Sequence, residues 1–290
     1  MTAGSNPVLW QPDQARTAAA RITSFRQQIA RQFSVALPDQ DALYRWSVEN
    51  PEAFWDQLRQ FSGLVAEGPA EPVVENRDRM PGARWFPGLR LNYAENLLQG
   101  DPRQEVLVFQ GEMGERAAYA RQDLLQLSGR LAISLAAEGV GPGDRVAGFL
   151  PNFPQTVIAM LAAARLGAVW SSCSPDFGVQ GVLDRFGQIS PKVLFAADGY
   201  RYGGKSHDSL ETLGLIRENL PGLLRTVVVP FFKPARTAPA ETVLWDDYLA
   251  DPTSPDPGFR RLPFDHPLFI MYSSGTTGLP KCMVHSAGGT

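Results

Sequence analysis

Short apolar strands and helices alternate in the middle of this sequence, and that alternation limits the possible folds more than any other feature. RVAGFL (Arg145–Leu150) and AVWSSC (Ala168–Cys173) each predict a buried strand, with an apolar helix between them. We expect Asn152 to cap this helix, Pro154 to lie in its first turn and Gly167 to end it. The order of strand, helix and strand predicts a βαβ unit.

A second unit follows directly. KVLFAAD (Lys192–Asp198) predicts a third strand, and apolar residues at helical spacing precede Pro191. The residues that share the predicted helix face are Val179, Val182, Leu183, Phe186 and Ile189. Repeated alternation of this kind is typical of a parallel sheet covered by helices on both faces, so the predicted fold class is α/β.

The segments on either side extend this organisation. EVLVFQ and ERAAY predict a hairpin around Gly111–Gly114, and Arg121–Glu138 predicts a helix closed by Gly139. A further helix is expected over Ser209–Asn219, followed by the strand RTVVV (Arg225–Val229).

The first hundred residues have a different texture, with aromatic side chains set among polar helical segments. Helices are expected over Ala15–Phe33 and Pro51–Phe61, the second with Asn50 as its N-cap. The aromatic stretch RWFPGLRLNYAENLL (84–98) is expected to pack this region onto the domain that follows. We therefore predict a mostly helical extension over residues 1–100 and an α/β domain over residues 101–290.

Composition excludes several classes of protein. A net charge of -3 without a basic face argues against a nucleic-acid partner. No apolar run is long enough to span a bilayer and the N-terminus lacks a signal-peptide core, so the expectation is a soluble cytoplasmic protein. Two cysteines are too few for a disulfide framework, and three histidines make a zinc site improbable, so no metal ligands are predicted.

The stretch richest in chemistry is SSGTTGLPK (Ser273–Lys281). It directly follows LFIMYS (Leu268–Ser273), which predicts a strand, and that strand follows a connection (Pro252–Pro267) whose prolines argue against regular structure. Glycines let successive N–H groups converge on an anion, hydroxyls add donors, and the lysine adds a positive charge. The residues predicted to bind phosphate groups are Ser273, Ser274, Gly275, Thr276, Thr277, Gly278 and Lys281.

Two interpretations of this stretch compete. Glycine-rich hydroxyl runs are commonly linkers or turns, but the preceding strand and the Pro280-Lys281 ending favour a phosphate loop. Its spacing differs from the G-x-x-x-x-G-K-[ST] arrangement of P-loop proteins, so a different kind of phosphate loop is expected.

The stretch IMYSSGTTGLPK (Ile270–Lys281) resembles the signature loop of the adenylate-forming enzymes, which include acyl-CoA synthetases, luciferases and peptide-synthetase adenylation domains. PEAFWDQL and WFPGLRLNYAENLL resemble the N-terminal extension of short-chain acyl-CoA synthetases, and residues 143–178 resemble their first Rossmann-like subdomain. Within the family, SSCSPDFG and GLPKCMVHSAGG are most similar to members that act on acetoacetate.

The resemblance implies a two-step ligase that uses ATP, Mg²⁺ and coenzyme A. Ser273–Lys281 would hold the β- and γ-phosphates, with Lys281 and Thr276 as the expected catalytic residues. Arg201 and Lys205 resemble basic residues that contact the nucleotide phosphate of coenzyme A, although a solvated basic turn explains them equally well. His285 is a candidate for lining the acyl or coenzyme A channel, against the commoner alternative of a structural histidine.

The resemblance also implies that further parts of the family's site lie after this loop. We therefore expect that these residues alone do not catalyse ligation, and that the strand leading into the loop lies at an open sheet edge. Two alternatives stay open: a ligase for another short-chain acid such as acetate or propionate, and a non-catalytic nucleotide-binding fragment.

Overall fold

The N-terminal region is helical, as predicted. The structure is a computed structural model that describes residues 7–232, 239–274 and 278–290. Its first four helices are α1 (Gln14–Ala19), α2 (Arg21–Phe33), α3 (Gln40–Glu49) and α4 (Pro51–Ser62). The single helix predicted over Ala15–Phe33 is wrong, because Ala20 is extended and separates two helices. The Thr23 hydroxyl donates to the Thr17 carbonyl (2.7 Å) across this break, a contact that a continuous helix does not allow.

Helices α2, α3 and α4 share a small apolar core. Phe25, Ile29, Leu43 and Trp46 are its buried members. Asn50 takes the N-cap position of α4, as predicted, but its side chain does not cap that helix. Its amide instead donates to the Trp46 carbonyl at the end of α3 (3.1 Å), so it joins the two helices.

Short elements then lead to the α/β domain. They are β1 (Ala66–Glu67), β2 (Val74–Glu75), β3 (Arg84–Trp85), β4 (Arg90–Leu91) and α5 (Tyr93–Leu97). The predicted packing role of the aromatic stretch is confirmed by its ring contacts. Trp85 meets Trp55 of α4 at 6.0 Å between ring centroids, and Tyr93 meets Phe269 at 5.6 Å on the domain that follows.

The remaining elements form the α/β domain. The hairpin β5 (Glu105–Gln110) and β6 (Arg116–Ala120) leads into α6 (Arg121–Ala137), as predicted. The elements that follow are β7 (Arg145–Phe149), α7 (Pro154–Leu166), β8 (Val169–Cys173), α8 (Val179–Ile189), β9 (Val193–Ala197), β10 (Gly199–Tyr202), β11 (Lys205–Asp208), α9 (Leu210–Glu218), β12 (Arg225–Val229), β13 (Val243–Leu244), α10 (Trp245–Tyr248), β14 (Leu262–Pro263), β15 (Pro267–Ser273) and β16 (Lys281–Ser286).

The main sheet has seven strands in the order β13-β12-β9-β7-β8-β15-β16. All neighbours are parallel except β15 and β16, which pair antiparallel. Alternate residues of β7 enter different cores: Val146 packs with α6 and α7, whereas Ala147 packs with α8 and α9. The predicted parallel sheet with helices on both faces is confirmed.

Three details of this domain were predicted wrongly. Asn152 does not cap α7; the N-cap is Phe153, which is extended, buried and packed against Phe231. The proline-rich connection contains one short strand, β14, because Leu262 and Pro263 pair with β4. The strand before the loop is not the sheet edge, because the residues after the loop return as β16 and take that place.

A buried arginine ties the proline-rich connection to the sheet. Arg165 of α7 is 2% exposed, contacts the Asp256 carboxylate and lies 4.2 Å from the centre of the Phe259 ring. Asn92 adds a second tie, since its amide donates to the Arg165 carbonyl (3.1 Å) and the Arg260 carbonyl (2.8 Å). The connection therefore delivers β15 to the sheet from a fixed position.

Within the described ranges, no helix combines the length and apolar character that crossing a membrane requires.

Candidate functional site

The candidate site lies at the edge of the sheet where the parallel strands end. Strands β7, β8, β9, β12 and β15 all run in the same direction, so their carboxyl ends lie side by side. Loops at this edge of an open α/β sheet are the usual place for ligand binding. The segments SSCSPDFG, ADGYRYGGKS and SSGTTGLPK all leave the sheet here, after β8, β9 and β15.

The predicted phosphate loop connects β15 to β16. Ser273 and Lys281 are paired across the two strands, so the hairpin register brings the first and last residues of the loop together. Gly278 has a φ of +94°, a conformation that favours glycine. Gly275, Thr276 and Thr277 lie outside the described residues.

Two serines and a lysine lie at the two ends of this loop. Ser274 and Lys281 are exposed, and Ser273 is half-buried. Among the residues that the structure describes, no carboxylate pairs with the Lys281 ammonium. A charge that remains solvated at the end of a strand is available to an anionic ligand.

Strand β15, which leads into the loop, is fixed by its neighbour β8. The Ser171 hydroxyl donates to the Ile270 carbonyl (2.8 Å) and lies 3.0 Å from the Tyr272 hydroxyl. Burial raises the pKa of Tyr272 to about 12, and the hydrogen bond from Ser171 only partly opposes this rise. The Arg185 guanidinium lies 5.7 Å from the centre of the Tyr272 ring. Tyr272 is therefore a neutral, packed residue that places Ser273 at the sheet edge.

Arg201 and Lys205 lie in the hairpin of β10 and β11, apart from the phosphate loop. This hairpin directly follows β9, and two strands lie between β9 and β15 in the main sheet. Three strand spacings, or roughly 14 Å, therefore separate β9 from β15. Arg201 forms an ion pair with Glu115 of the β5–β6 hairpin. The turn N–H groups of Gly203 and Gly204 donate to the Glu112 carboxylate at 3.1 and 2.9 Å. Carboxylates of the neighbouring hairpin thus hold this turn, and Lys205 is left exposed.

His285 lies on β16 opposite Phe269 and is exposed. Side chains alternate along a strand, so His285 is on the same face as Lys281, and Cys282 is on the other. The hairpin therefore pairs Ser273 with Lys281 and leaves the next residue, Ser274, exposed, with His285 further along the Lys281 face of β16.

Within residues 7–232, 239–274 and 278–290, no cluster of three or more histidine, cysteine or acidic side chains could hold a metal ion. Both cysteines are free: Cys173 is buried and Cys282 is exposed.

Comparisons with known proteins agree on one family. The model of the AMP-binding enzyme family matches residues 95–290, and that of the acetyl-coenzyme A synthetase N-terminus matches residues 40–97. The chain is 44% identical to acetoacetyl-CoA synthetase from Macaca fascicularis, over 98% of this chain and 43% of that protein. It is 43% identical to acetoacetyl-coenzyme A synthetase from Rhizobium meliloti (strain 1021), over 97% of this chain and 43% of that protein.

A solved structure is also similar. Acetoacetyl-CoA synthetase from Streptomyces lividans matches with a TM-score of 0.92 and 44% identity, over 98% of this chain and 44% of that one. The chain thus spans less than half the length of the relatives that it matches.

Proposed function

The chain belongs to the AMP-binding enzyme family, and from this premise we propose that it carries the ATP phosphate site of a ligase that joins acetoacetate to coenzyme A. One observation carries the proposal. Strand β15 delivers Ser273 to the carboxyl edge of a parallel sheet, and the antiparallel return through β16 places Lys281 directly opposite it. Ser273 and Lys281 are therefore neighbours where the loop leaves and re-enters the sheet.

The proposed reaction has two steps. A carboxylate oxygen of acetoacetate attacks the α-phosphorus of ATP, and the bond from that phosphorus to the bridging oxygen breaks, which releases pyrophosphate. The thiol sulfur of coenzyme A then attacks the acyl carbon, its proton passes to solvent, and AMP leaves with the electrons of the acyl–oxygen bond. The first step depends on holding the phosphates in place and on neutralising charge that develops on the leaving group.

The residues of this chain act on the leaving group. The Ser273 and Ser274 hydroxyls donate to phosphate oxygens, and the Lys281 ammonium balances their charge. Gly275, Thr276, Thr277 and Gly278 complete this cradle in the proposal. Lys205 remains the proposed contact for the nucleotide phosphate of coenzyme A, whereas the charge of Arg201 is already balanced by Glu115.

Mg²⁺ enters the proposal only as part of the MgATP complex. In that complex it would neutralise part of the phosphate charge, beside the charge that Lys281 supplies.

Lys281→Ala tests the proposed site. A charge-assisted hydrogen bond is worth about 1.5–3 kcal/mol, so we expect MgATP affinity to fall by about 10- to 100-fold. Because Lys281 is exposed, the melting temperature should stay the same. Equilibrium binding of MgATP to the 290-residue chain measures this, with Arg103→Ala as control, since Arg103 is an exposed cation outside the site. Unchanged affinity in folded Lys281→Ala would remove this residue from the site.

Release of AMP tests the chemistry. The chain is incubated with MgATP, coenzyme A and one acid from a panel of acetoacetate, acetate and propionate. The expectation that residues 1–290 do not turn over alone is tested by the same assay. If AMP is released, faster release with acetate or propionate than with acetoacetate would identify that acid as the substrate instead. In a protein that also carries the parts of the site expected after the loop, nucleotide binding without product from any acid would favour a non-catalytic role.

A further inference from the structure

One side chain outside the loop contacts the residues on both sides of Lys281, the backbone of Pro280 and the thiol of Cys282. The side-chain amide of Gln188, on the last turn of α8, donates to the Pro280 carbonyl oxygen (2.9 Å). Its oxygen accepts a hydrogen bond from the Cys282 thiol (3.6 Å). The same amide nitrogen also donates to the Asp184 carbonyl one turn earlier (2.6 Å), which fixes the side chain against its own helix.

These bonds matter because β16 is an exposed edge strand. Five of its six residues are exposed, so packing holds it weakly. The far end of the strand is anchored by backbone bonds of the following residues, from Ala287 to His266 (2.8 Å) and from Gly288 to Phe264 (2.8 Å). In the described part of the chain, Gln188 is the only residue outside the hairpin that forms a hydrogen bond with residues 278–283.

We propose that Gln188 is a positioning residue of the phosphate loop, which fixes the end of the loop that carries Lys281 against α8. Because Pro280 has a restricted φ and no N–H, holding its carbonyl also sets the direction in which the chain enters Lys281. The inference rests on the proposed function, since it assigns Gln188 to the positioning of a cation that binds phosphate.

Gln188→Met tests this role, because methionine has a similar length but neither donates to Pro280 nor accepts in the same way from Cys282. Gln180→Met is the matched control. Gln180 is an exposed residue on the same helix, and its amide donates to the Asp184 carboxylate one turn later (2.6 Å). Gln188→Glu keeps the length and the acceptor but loses the donor to Pro280, so it should behave like Gln188→Met.

Two measurements on the 290-residue chain separate the possible outcomes. Hydrogen exchange of the peptide covering residues 278–284, followed by mass spectrometry, reports the anchoring. Equilibrium binding of MgATP reports its consequence. We expect both Gln188 variants to exchange about 3- to 10-fold faster and to bind MgATP about 3- to 10-fold more weakly, as loss of about one hydrogen bond implies. Gln180→Met should match the wild type, and all variants should keep its melting temperature.

Each result bears on the proposal in a defined way. Wild-type exchange in Gln188→Met would overturn the anchoring, and faster exchange with unchanged MgATP affinity would overturn the positioning role. Wild-type behaviour of Gln188→Glu would show that the Pro280 bond is not the anchor. Faster exchange in a chain whose wild type does not bind MgATP would support the anchoring and reject the proposed function instead.

Discussion

The centre of the sheet and its last hairpin are built in opposite ways. Every residue of β9 is buried, whereas five of the six residues of β16 are exposed. The centre is held between two apolar cores, and β16 is held by its pairing with β15 and a few hydrogen bonds. The difference separates two tasks: burial stabilises the fold, and the exposed hairpin can keep a solvated charge where a ligand can reach it.

Substitutions in the two regions should differ most in stability. Phe195 is fully buried and packs against Trp245 (5.8 Å) and Tyr248 (6.1 Å) between ring centroids. Phe195→Ala should lower the free energy of unfolding by about 3–5 kcal/mol, through lost burial and a cavity. Met283→Ala on β16, where the side chain is 43% exposed, should cost less than about 1 kcal/mol. Denaturant unfolding measures both, and equal losses would contradict the comparison.

The two cysteines differ in the same way, because one lies in the buried centre of the sheet and the other on the exposed hairpin. Burial raises the pKa of the Cys173 thiol to about 12, and the nearby Arg185 only partly opposes this. Cys282 is exposed on the hairpin. Iodoacetamide at pH 8 should therefore modify Cys282 more than about 100-fold faster than Cys173, because the thiolate is the reactive form. Peptide mass spectrometry locates the label, and comparable labelling of both thiols would show that the centre opens as readily as the edge.

A smaller effect is expected at the start of β7. Burial alone would raise the pKa of Asp144, but hydrogen bonds from Lys192 (2.8 Å) and the Gly141 N–H (2.9 Å) outweigh it and lower the pKa. The resulting stability is present above the ordinary aspartate pKa of about 3.9 and is lost as the pH falls through the lowered value.

When the pH falls below about 4, the free energy of unfolding of Asp144→Asn should therefore decrease by about 0.5 kcal/mol less than that of the wild type. Urea unfolding at pH 7 and at pH 3 measures the difference. Asp246→Asn is the control, because Asp246 is exposed. An unchanged pH dependence in Asp144→Asn would contradict the assigned hydrogen bonds.

The buried parts of the fold were predictable because burial leaves a direct pattern in the sequence. The apolar runs of β7, β8 and β9 and the glycine after α7 identified the βαβ units, and the parallel sheet confirms them. The family resemblance drawn from IMYSSGTTGLPK and the N-terminal segments is confirmed by the matched families.

The exposed parts were less predictable, since their structure depends on tertiary contacts. KCMVHS has only three consecutive apolar residues, and it becomes a strand because β15 supplies its partner. The Asn152 cap was wrong because burial of Phe153 decides where α7 begins. Sequence analysis missed Gln188 for a similar reason. An exposed glutamine is not marked by hydrophobic spacing or by a motif, and only the fold places it beside Pro280.

The chain between Ser273 and Lys281 is proposed to bind the phosphates of ATP. The most direct measurement follows the backbone amides of the ¹⁵N-labelled 290-residue chain by NMR as MgATP is added. We expect the largest saturable shift changes to fall within residues 273–281 and pyrophosphate to compete for them. Saturable changes located elsewhere, with these amides unmoved, would contradict it.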